Sequence, residues 1–162
     1  MSFTYLGIQK TSNQDLEMEV KHQVAKALRI SGCLNDTIWN NKHLRKEAKV
    51  CIYKSVVRPI LTYAAETRPE TAKTTQILEA AEIRMLRRIS NLTLFDREKS
   101  DDIREECGIQ KISQGIRRRK EEWYAHVGRM SEDRILSKIM KNRPEEKRSR
   151  GRPKKRWHDD LV

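Results

Sequence analysis

Apolar residues recur every three or four positions over most of this chain, the spacing that gathers them on one face of an α-helix. The spacing predicts helices over residues 16–28, 44–56, 78–89 and 112–127, with shorter ones over 100–107, 131–140 and 153–161. Only the opening stretch FTYLGI, residues 3–8, has the aromatic and β-branched character of a strand. We therefore expect a mainly α fold, a helical bundle followed by basic helices, with one short N-terminal strand that lacks a partner.

Local signals predict where several of these helices begin and end. Thr11 and Gln14 have the spacing of a capping box ahead of the first helix, and Gly32 is a typical stop after it. The second helix runs into Pro59, a residue that interrupts helix interiors. Ser131 is the expected start of the short helix near residue 140.

The composition indicates a thin hydrophobic core and a polyanionic partner. Hydrophobic residues make up 36% of the chain, whereas globular domains usually reach about 45 to 50%. The net charge is +12, and residues 111–162 hold 17 basic and 8 acidic groups, which is +9 of that total. The C-terminal third is therefore the expected binding end.

The same sequence argues against membrane and secreted classes. No apolar run approaches the about 20 residues needed to span a bilayer, and no signal segment opens the chain. Three widely spaced cysteines, Cys33, Cys51 and Cys107, suit reduced thiols better than a disulfide framework. We expect a nuclear or cytoplasmic protein without a membrane partner.

The acidic residues do not have the pattern of a catalytic site. They occur as adjacent pairs such as Glu121 with Glu122, and neighbours on a helix point about 100° apart, whereas two-metal sites need carboxylates that converge. Cys107, His126 and His158 lack the close ligand pairs of structural zinc sites. We predict no catalytic residue, no metal and no cofactor, and we assign the acidic pairs to solvated faces and helix caps.

Basic residues interleaved with aromatic ones are the strongest functional signal. The stretch KRSRGRPKKRW, residues 147–157, places seven cations before Trp157. Cations neutralise phosphates and flat rings stack on unpaired bases, so this mixture favours a nucleic-acid partner. The plainer alternative is that Trp123 belongs to the core and that residues 117–119 form a solvated helix face.

Five ordered motifs carry a family resemblance: YLGI at 5–8, YKSVVRPILTYAAET at 53–67, IRMLRRI at 83–89, AHVGRM at 125–130 and GRPKKRW at 151–157. Together they resemble the C-terminal part of reverse transcriptases of LINE-type, non-LTR retrotransposons, of the jockey-like or RTE-like endonuclease and reverse transcriptase group. The resemblance implies the end of a palm over residues 1–9, a thumb-like helical bundle over 10–95, a C-terminal helical segment over 96–142, and a basic linker with a terminal helix over 143–162.

The resemblance also implies roles for individual residues. Tyr5, Leu6 and Gly7 correspond to the primer-grip region. The template–primer duplex is the expected partner of Arg84, Arg87 and Arg88 on the thumb. RNA, DNA or an RNA–DNA hybrid is the expected partner of a second set: Arg117, Arg118, Arg119, His126, Arg129, Arg148, Arg150, Gly151, Arg152, Lys154, Lys155, Arg156 and Trp157.

Departures from the family pattern change the expected function. Arg68 stands where the family usually has Trp, and Ala64 and Ala125 stand where it usually has Gly, which suggests relaxed constraint in a divergent copy. The palm with its Tyr-x-Asp-Asp carboxylates would precede residue 1. We therefore expect this chain to bind nucleic acid without polymerising it.

Two other functions remain open at this level. RGRP at 150–153 is similar to an AT-hook, whose flat Arg-Gly-Arg core lies in the narrow minor groove of A/T-rich DNA. Alternatively, the helices form an interaction module that docks on a separate palm domain, with the basic tail directing the protein to the nucleus.

Overall fold

A computed structural model of the 162-residue chain describes residues 2–11, 15–141, 151 and 157–160. The mainly α prediction is confirmed. Strands β1 and β2 span Ser2–Tyr5 and Ile8–Thr11, and the helices are α1 (Leu16–Cys33), α2 (Lys46–Ile52), α3 (Arg58–Leu61), α4 (Ala72–Ile89), α5 (Ser100–Glu106), α6 (Ile112–Gly128) and α7 (Ile135–Lys141). Two π-helical turns, Asn35–Trp39 and Tyr53–Val57, and two 3-10 turns, Ala65–Thr67 and Trp157–Asp160, complete the described elements.

The N-terminal segment is a hairpin, so the prediction of a single strand without a partner is wrong. β1 and β2 pair in antiparallel register across a two-residue turn at Leu6 and Gly7, whose φ angles are 47° and 78°. Positive φ at both turn residues is the geometry that matches the twist of a hairpin, and Gly7 adopts it without strain. The turn is fixed from outside as well, because Lys26 Nζ donates to the Gly7 carbonyl at 2.6 Å and the Tyr63 hydroxyl donates to the Leu6 carbonyl at 3.0 Å.

The first helix is capped by a residue other than the predicted one. The Asp15 carboxylate accepts from the backbone N–H groups of Glu17 and Met18 at 3.0 and 3.2 Å, which makes it the N-cap. The predicted capping box lay upstream, and residues 12–14 fall outside the described part of the chain. Gly32 lies inside α1, which ends one residue later at Cys33.

Pro59 does not end its helix. α2, the π-helical turn Tyr53–Val57 and α3 follow one another without a break to Leu61, and Pro59 lies in the first turn of α3. A proline fits there because the stretch changes from π-helical to α-helical hydrogen bonding just before it, so the regular ladder is already interrupted where the N–H is missing. The start of α7 was also misplaced: residues 131–134 form a turn, with Arg134 N–H donating to the Ser131 carbonyl, and the helix begins at Ile135.

One hydrophobic core joins the predicted thumb to the helices that follow it. α1 packs against α3 and α4, and α5 and α6 both pack against α4. The core residues from these later helices, such as Ile103, Ile112 and Ile116, are at most 1% exposed and lie in the same cluster as Leu78 of α4. The predicted boundary between residues 95 and 96 would thus separate two sequence segments that share one core. That boundary stays a prediction.

A buried carboxylate on α4 links the surrounding elements. Glu82 is completely buried, and it accepts from Arg104 Nε of α5 and from the backbone N–H of Ile112, both at 3.2 Å. The Tyr53 hydroxyl lies 3.4 Å away and Arg58 Nε 3.9 Å away. Burial raises the pKa of Glu82, although both guanidinium groups oppose the shift. Desolvation likewise raises the pKa of Tyr53, and the Glu82 carboxylate adds to the effect.

Arg68, which replaces the tryptophan of the family pattern, has a specific structural place. The residue is 1% exposed, and its Nη1 lies 3.4 Å from Oε1 of the buried Glu19 on α1. A guanidinium that is removed from water requires such an opposite charge. The position is thus packed and has one charged partner, while Nε and Nη2 of the same guanidinium are buried without a hydrogen-bond partner among the described residues. The interpretation of relaxed constraint there stays a prediction.

Candidate nucleic-acid interface

The three arginines of α4 that were predicted to contact nucleic acid differ in exposure and in their contacts. Arg84 and Arg88 are exposed on α4, one helical turn apart, and neither side chain has an ion pair or hydrogen bond with the described residues. Arg87 is half-buried, and its guanidinium donates to the carbonyls of Thr93 and Glu98 at 3.2 and 2.8 Å. Arg84 and Arg88 are therefore available to a phosphate backbone, whereas Arg87 orders the loop after α4.

The arginine run on α6 is partly neutralised by its own helix. Arg117 Nε lies 3.1 Å from Glu121, and Arg118 Nε lies 3.6 Å from Glu122, both as exposed pairs four residues apart. Such pairs contribute little to stability, and each places a carboxylate beside the cation that a phosphate would need. The acidic residues thus lie on a solvated face, as the sequence suggested, and the nucleic-acid contacts of these two arginines stay predictions.

Arg119 points toward the α3 region. It is half-buried, and its guanidinium hydrogen-bonds to Thr62 Oγ1. His126 and Arg129 are exposed near the C-terminal end of α6, where the helix ends at Gly128. Of the basic residues predicted on this segment, the exposed ones are therefore Arg117, Arg118, His126 and Arg129.

Trp157 packs against the protein in this structure. Its indole N–H donates to the Glu66 carbonyl at 2.6 Å, and its ring lies 5.3 Å from the Trp123 ring in an edge-to-face contact. The Tyr124 ring is 6.2 Å away. Aromatic pairs at these separations stabilise one another beyond their burial. Trp123 is half-buried in this contact and does not belong to the hydrophobic core cluster, so its predicted place in the core is not observed.

Most of the basic tail lies outside the described residues. This applies to Arg148, Arg150, Arg152, Lys154, Lys155 and Arg156. Gly151 is exposed at a bend with a φ of 106°. The terminal element, expected as a helix over 153–161, is described only as the 3-10 turn Trp157–Asp160. The AT-hook alternative therefore stays untested.

The predicted primer-grip residues lie in the hairpin. Tyr5 is 62% exposed at the end of β1, while Leu6 and Gly7 form the turn. Neither strand of the hairpin has a third partner among the described residues. The hairpin consequently presents an unpaired strand edge and exposed apolar side chains.

Cysteine and histidine side chains form no metal cluster in the described part of the chain. No group of three or more His, Cys, Asp or Glu residues there could hold a metal ion. Cys107 is buried, with its sulfur 3.6 Å from Ser90 Oγ, while His126 and His158 are exposed. Within the same residues, no helix is both long enough and apolar enough to cross a membrane.

Two structural features were not predicted from the sequence: an exposed apolar pair and a buried carboxylate. Leu94 and Phe95 are 79% and 94% exposed in the loop after α4. The available signal was an adjacent apolar pair in a polar stretch outside any helical period. The second missed feature is the buried carboxylate of Glu82. The only sequence signal for it was an acidic residue placed between apolar positions of α4.

Comparison with known proteins gives one weak similarity. The chain is 27% identical over 165 aligned residues to a transposon-derived protein of Caenorhabditis elegans, and the match covers 98% of this chain. It spans 58% of the length of that relative. No family model and no solved structure matches. The similarity supports a transposon-related origin.

Proposed function

We propose that this chain is a nucleic-acid-binding unit of a transposon-encoded protein, corresponding to the thumb and C-terminal region of a non-LTR reverse transcriptase. In this proposal it holds RNA, DNA or an RNA–DNA hybrid without performing chemistry on it. The motif order and the similarity to a transposon-derived protein support the origin. The distribution of exposed cations supports the binding.

The observation that carries the proposal is the pair Arg84 and Arg88. Both are exposed on one face of α4, and the described residues offer neither of them a carboxylate. An unpaired surface guanidinium is well suited to a phosphate, which it can contact through two parallel hydrogen bonds. The backbone of a duplex lying along α4 would satisfy both.

Trp157 is the second feature that supports the binding proposal. The indole is fixed to Glu66 and Trp123, and the chain immediately before it holds the cations of residues 147–156. The residue that directly follows these cations in sequence is thus held beside α6, where His126 and Arg129 are exposed. Anchored charges lose less freedom on binding than charges on a free tail, and they therefore bind more tightly.

The N-terminal hairpin supports docking on a further domain. Phe3, Tyr5 and Leu6 are 64%, 62% and 71% exposed, and a hairpin edge with such side chains is a template for pairing with another sheet. A palm-type sheet is the partner that the family resemblance implies. The relative is also longer than this chain, which leaves room for such a domain in a protein of its kind.

Fluorescence anisotropy with labelled duplexes at several salt concentrations tests the binding proposal. The variant R84Q/R88Q removes two cations that lack described partners, and R117Q/R118Q is the matched control because it removes two cations that face carboxylates. If both α4 arginines contact phosphates, the slope of log K against log salt becomes shallower by about 1.8 units on B-DNA. The R117Q/R118Q control should change the slope of log K against log salt less than R84Q/R88Q does.

Three results would contradict the proposal. Wild-type protein that binds none of a DNA duplex, an RNA–DNA hybrid and single-stranded RNA would refute nucleic-acid binding. Equal slopes for wild type and R84Q/R88Q would move the interface away from α4. A preference for A/T-rich over G/C-rich duplexes that disappears in R150A or R152A would favour the AT-hook, because minor-groove readout mainly separates these two classes.

A further inference from the structure

The loop between α4 and α5 presents two large apolar side chains to solvent. Phe95 is 94% exposed and Leu94 is 79% exposed, although both would ordinarily be buried. Leu92, two residues earlier, packs against the hydrophobic core. The apolar tip formed by Leu94 and Phe95 therefore projects from a base that is joined to the core.

The loop that carries the apolar tip is firmly held. The Asp96 carboxylate accepts from the backbone N–H and the hydroxyl of Thr93 at 2.6 and 2.8 Å. Arg87 binds the carbonyls on both sides of the tip, and Asn91 and Arg97 adopt positive φ angles of 54° and 52°. Asparagine often adopts this angle after a helix, but a residue as long as arginine keeps it only where the surroundings enforce it, so the positive φ of Arg97 indicates a preorganised tip.

The apolar tip belongs to the loop that directly follows α4, whose last turn carries one of the candidate phosphate contacts, Arg88. The residue that fixes the loop, Arg87, directly precedes Arg88 and lies three positions after Arg84 on α4. Arg84 and Arg88 are the exposed arginines of α4, and neither has a partner among the described residues. A backbone that runs along α4 past Arg88 would therefore lead toward the loop that carries Phe95.

We propose that Phe95, supported by Leu94, stacks on an unpaired or terminal base of a nucleic acid whose phosphates are held by Arg84 and Arg88. This inference rests on the proposed nucleic-acid binding and adds a specificity to it: a preference for ends, overhangs or bulges over continuous duplex. Every base offers a flat face to an aromatic ring, so the stacking requires no particular sequence.

A nucleic base fits the apolar tip better than a protein surface does. A stable protein interface buries about 800 Å² on each partner, and a single aromatic side chain supplies about 150–250 Å² at most. The residues that follow the tip are charged: Asp96, Arg97, Glu98 and Lys99. These four charges cancel, so the ring would supply the stacking while the phosphates depend on Arg84 and Arg88.

The test compares two DNA probes of equal length, one fully paired and one with a single unpaired 2-aminopurine at its end. Wild type should bind the unpaired probe more tightly and change its fluorescence by stacking on the base. The variant F95A should bind that probe about tenfold more weakly and the paired probe less than twofold more weakly. F95W should restore the preference, and I135A, which removes a side chain that is 74% exposed on α7, is the control.

The outcomes separate this inference from the proposed function. If wild type binds neither probe, the nucleic-acid proposal itself fails. If wild type binds both probes but F95A leaves the preference and the 2-aminopurine signal unchanged, only the stacking role is refuted, and the apolar tip serves a protein partner or another surface. The stacking role is also refuted if I135A weakens binding as much as F95A does. Circular dichroism checks that all variants keep their helices.

Discussion

Replacing Glu82 with alanine should destabilise this protein more than any neighbouring surface change, because it removes a buried carboxylate to which several elements donate. Arg104 Nε of α5 and the Ile112 N–H at the start of α6 each lie 3.2 Å from its oxygens. Tyr53 and Arg58 approach it from the segment before α4. In the E82A variant these donors would remain in the core without their acceptor.

The expected loss is about 3 to 4 kcal/mol in the free energy of unfolding. Breaking a buried ion pair by removing one partner costs about 3–5 kcal/mol, since the other charge is left without compensation. Here the Arg104 side chain is 8% exposed, but its Nη1 keeps a 3.0 Å contact with Asp101, which favours the lower part of that range. Domains have a total stability of about 5–15 kcal/mol, so the loss is a large fraction.

Urea denaturation followed by circular dichroism measures this difference. The control is E79A, one turn earlier on α4, where the half-buried carboxylate accepts only a 2.7 Å hydrogen bond from Ser113 Oγ among the contacts seen. A single hydrogen bond to a charged group contributes about 1.5 to 3 kcal/mol, which is below the loss expected at Glu82. If E82A does not fold, E82Q, which keeps an acceptor oxygen, takes its place. Equal losses in the Glu82 and Glu79 variants would refute the reasoning.

Two further predictions follow from the same contacts. Burial raises the pKa of Glu82 above its value in the unfolded chain, so its contribution to stability is present at low pH and is lost as pH rises through the folded-state pKa. The difference in unfolding free energy between wild type and E82Q should therefore be larger at pH 5 than at pH 7, and a smaller difference at pH 5 would show that Arg58 and Arg104 outweigh desolvation. W157A keeps the net charge but removes the bond to Glu66. It should weaken duplex binding severalfold in anisotropy titrations, and unchanged affinity would show that the anchor does not position the cations.

The helical character and most helix positions could be predicted from the apolar spacing. A period of three to four residues depends only on local geometry, so 78–89 and 112–127 both lie within observed helices. Helix ends were less predictable, because they depend on competing local contacts. Asp15 caps α1 through its side chain, and Pro59 is accommodated within a helical stretch.

The candidate interface illustrates what sequence could not decide. Arg84, Arg87 and Arg88 look equivalent in the sequence, yet only the tertiary structure shows that Arg87 is used to hold a loop. The sequence marks Arg68 only as a departure from an expected tryptophan. The structure shows that Arg68 is buried beside Glu19, which lies 49 positions away in sequence.

The sequence by itself determined that the chain is mainly helical and that its basic charge is concentrated in the C-terminal third, and its ordered motifs indicated a transposon-related origin. Tertiary structure decided which charges are exposed, where Trp157 packs, and that Phe95 projects from an ordered loop. The physical reason is the sequence separation over which each property is set. Periodicity and charge are properties of neighbouring residues, whereas burial and pairing depend on contacts between segments that lie far apart along the chain.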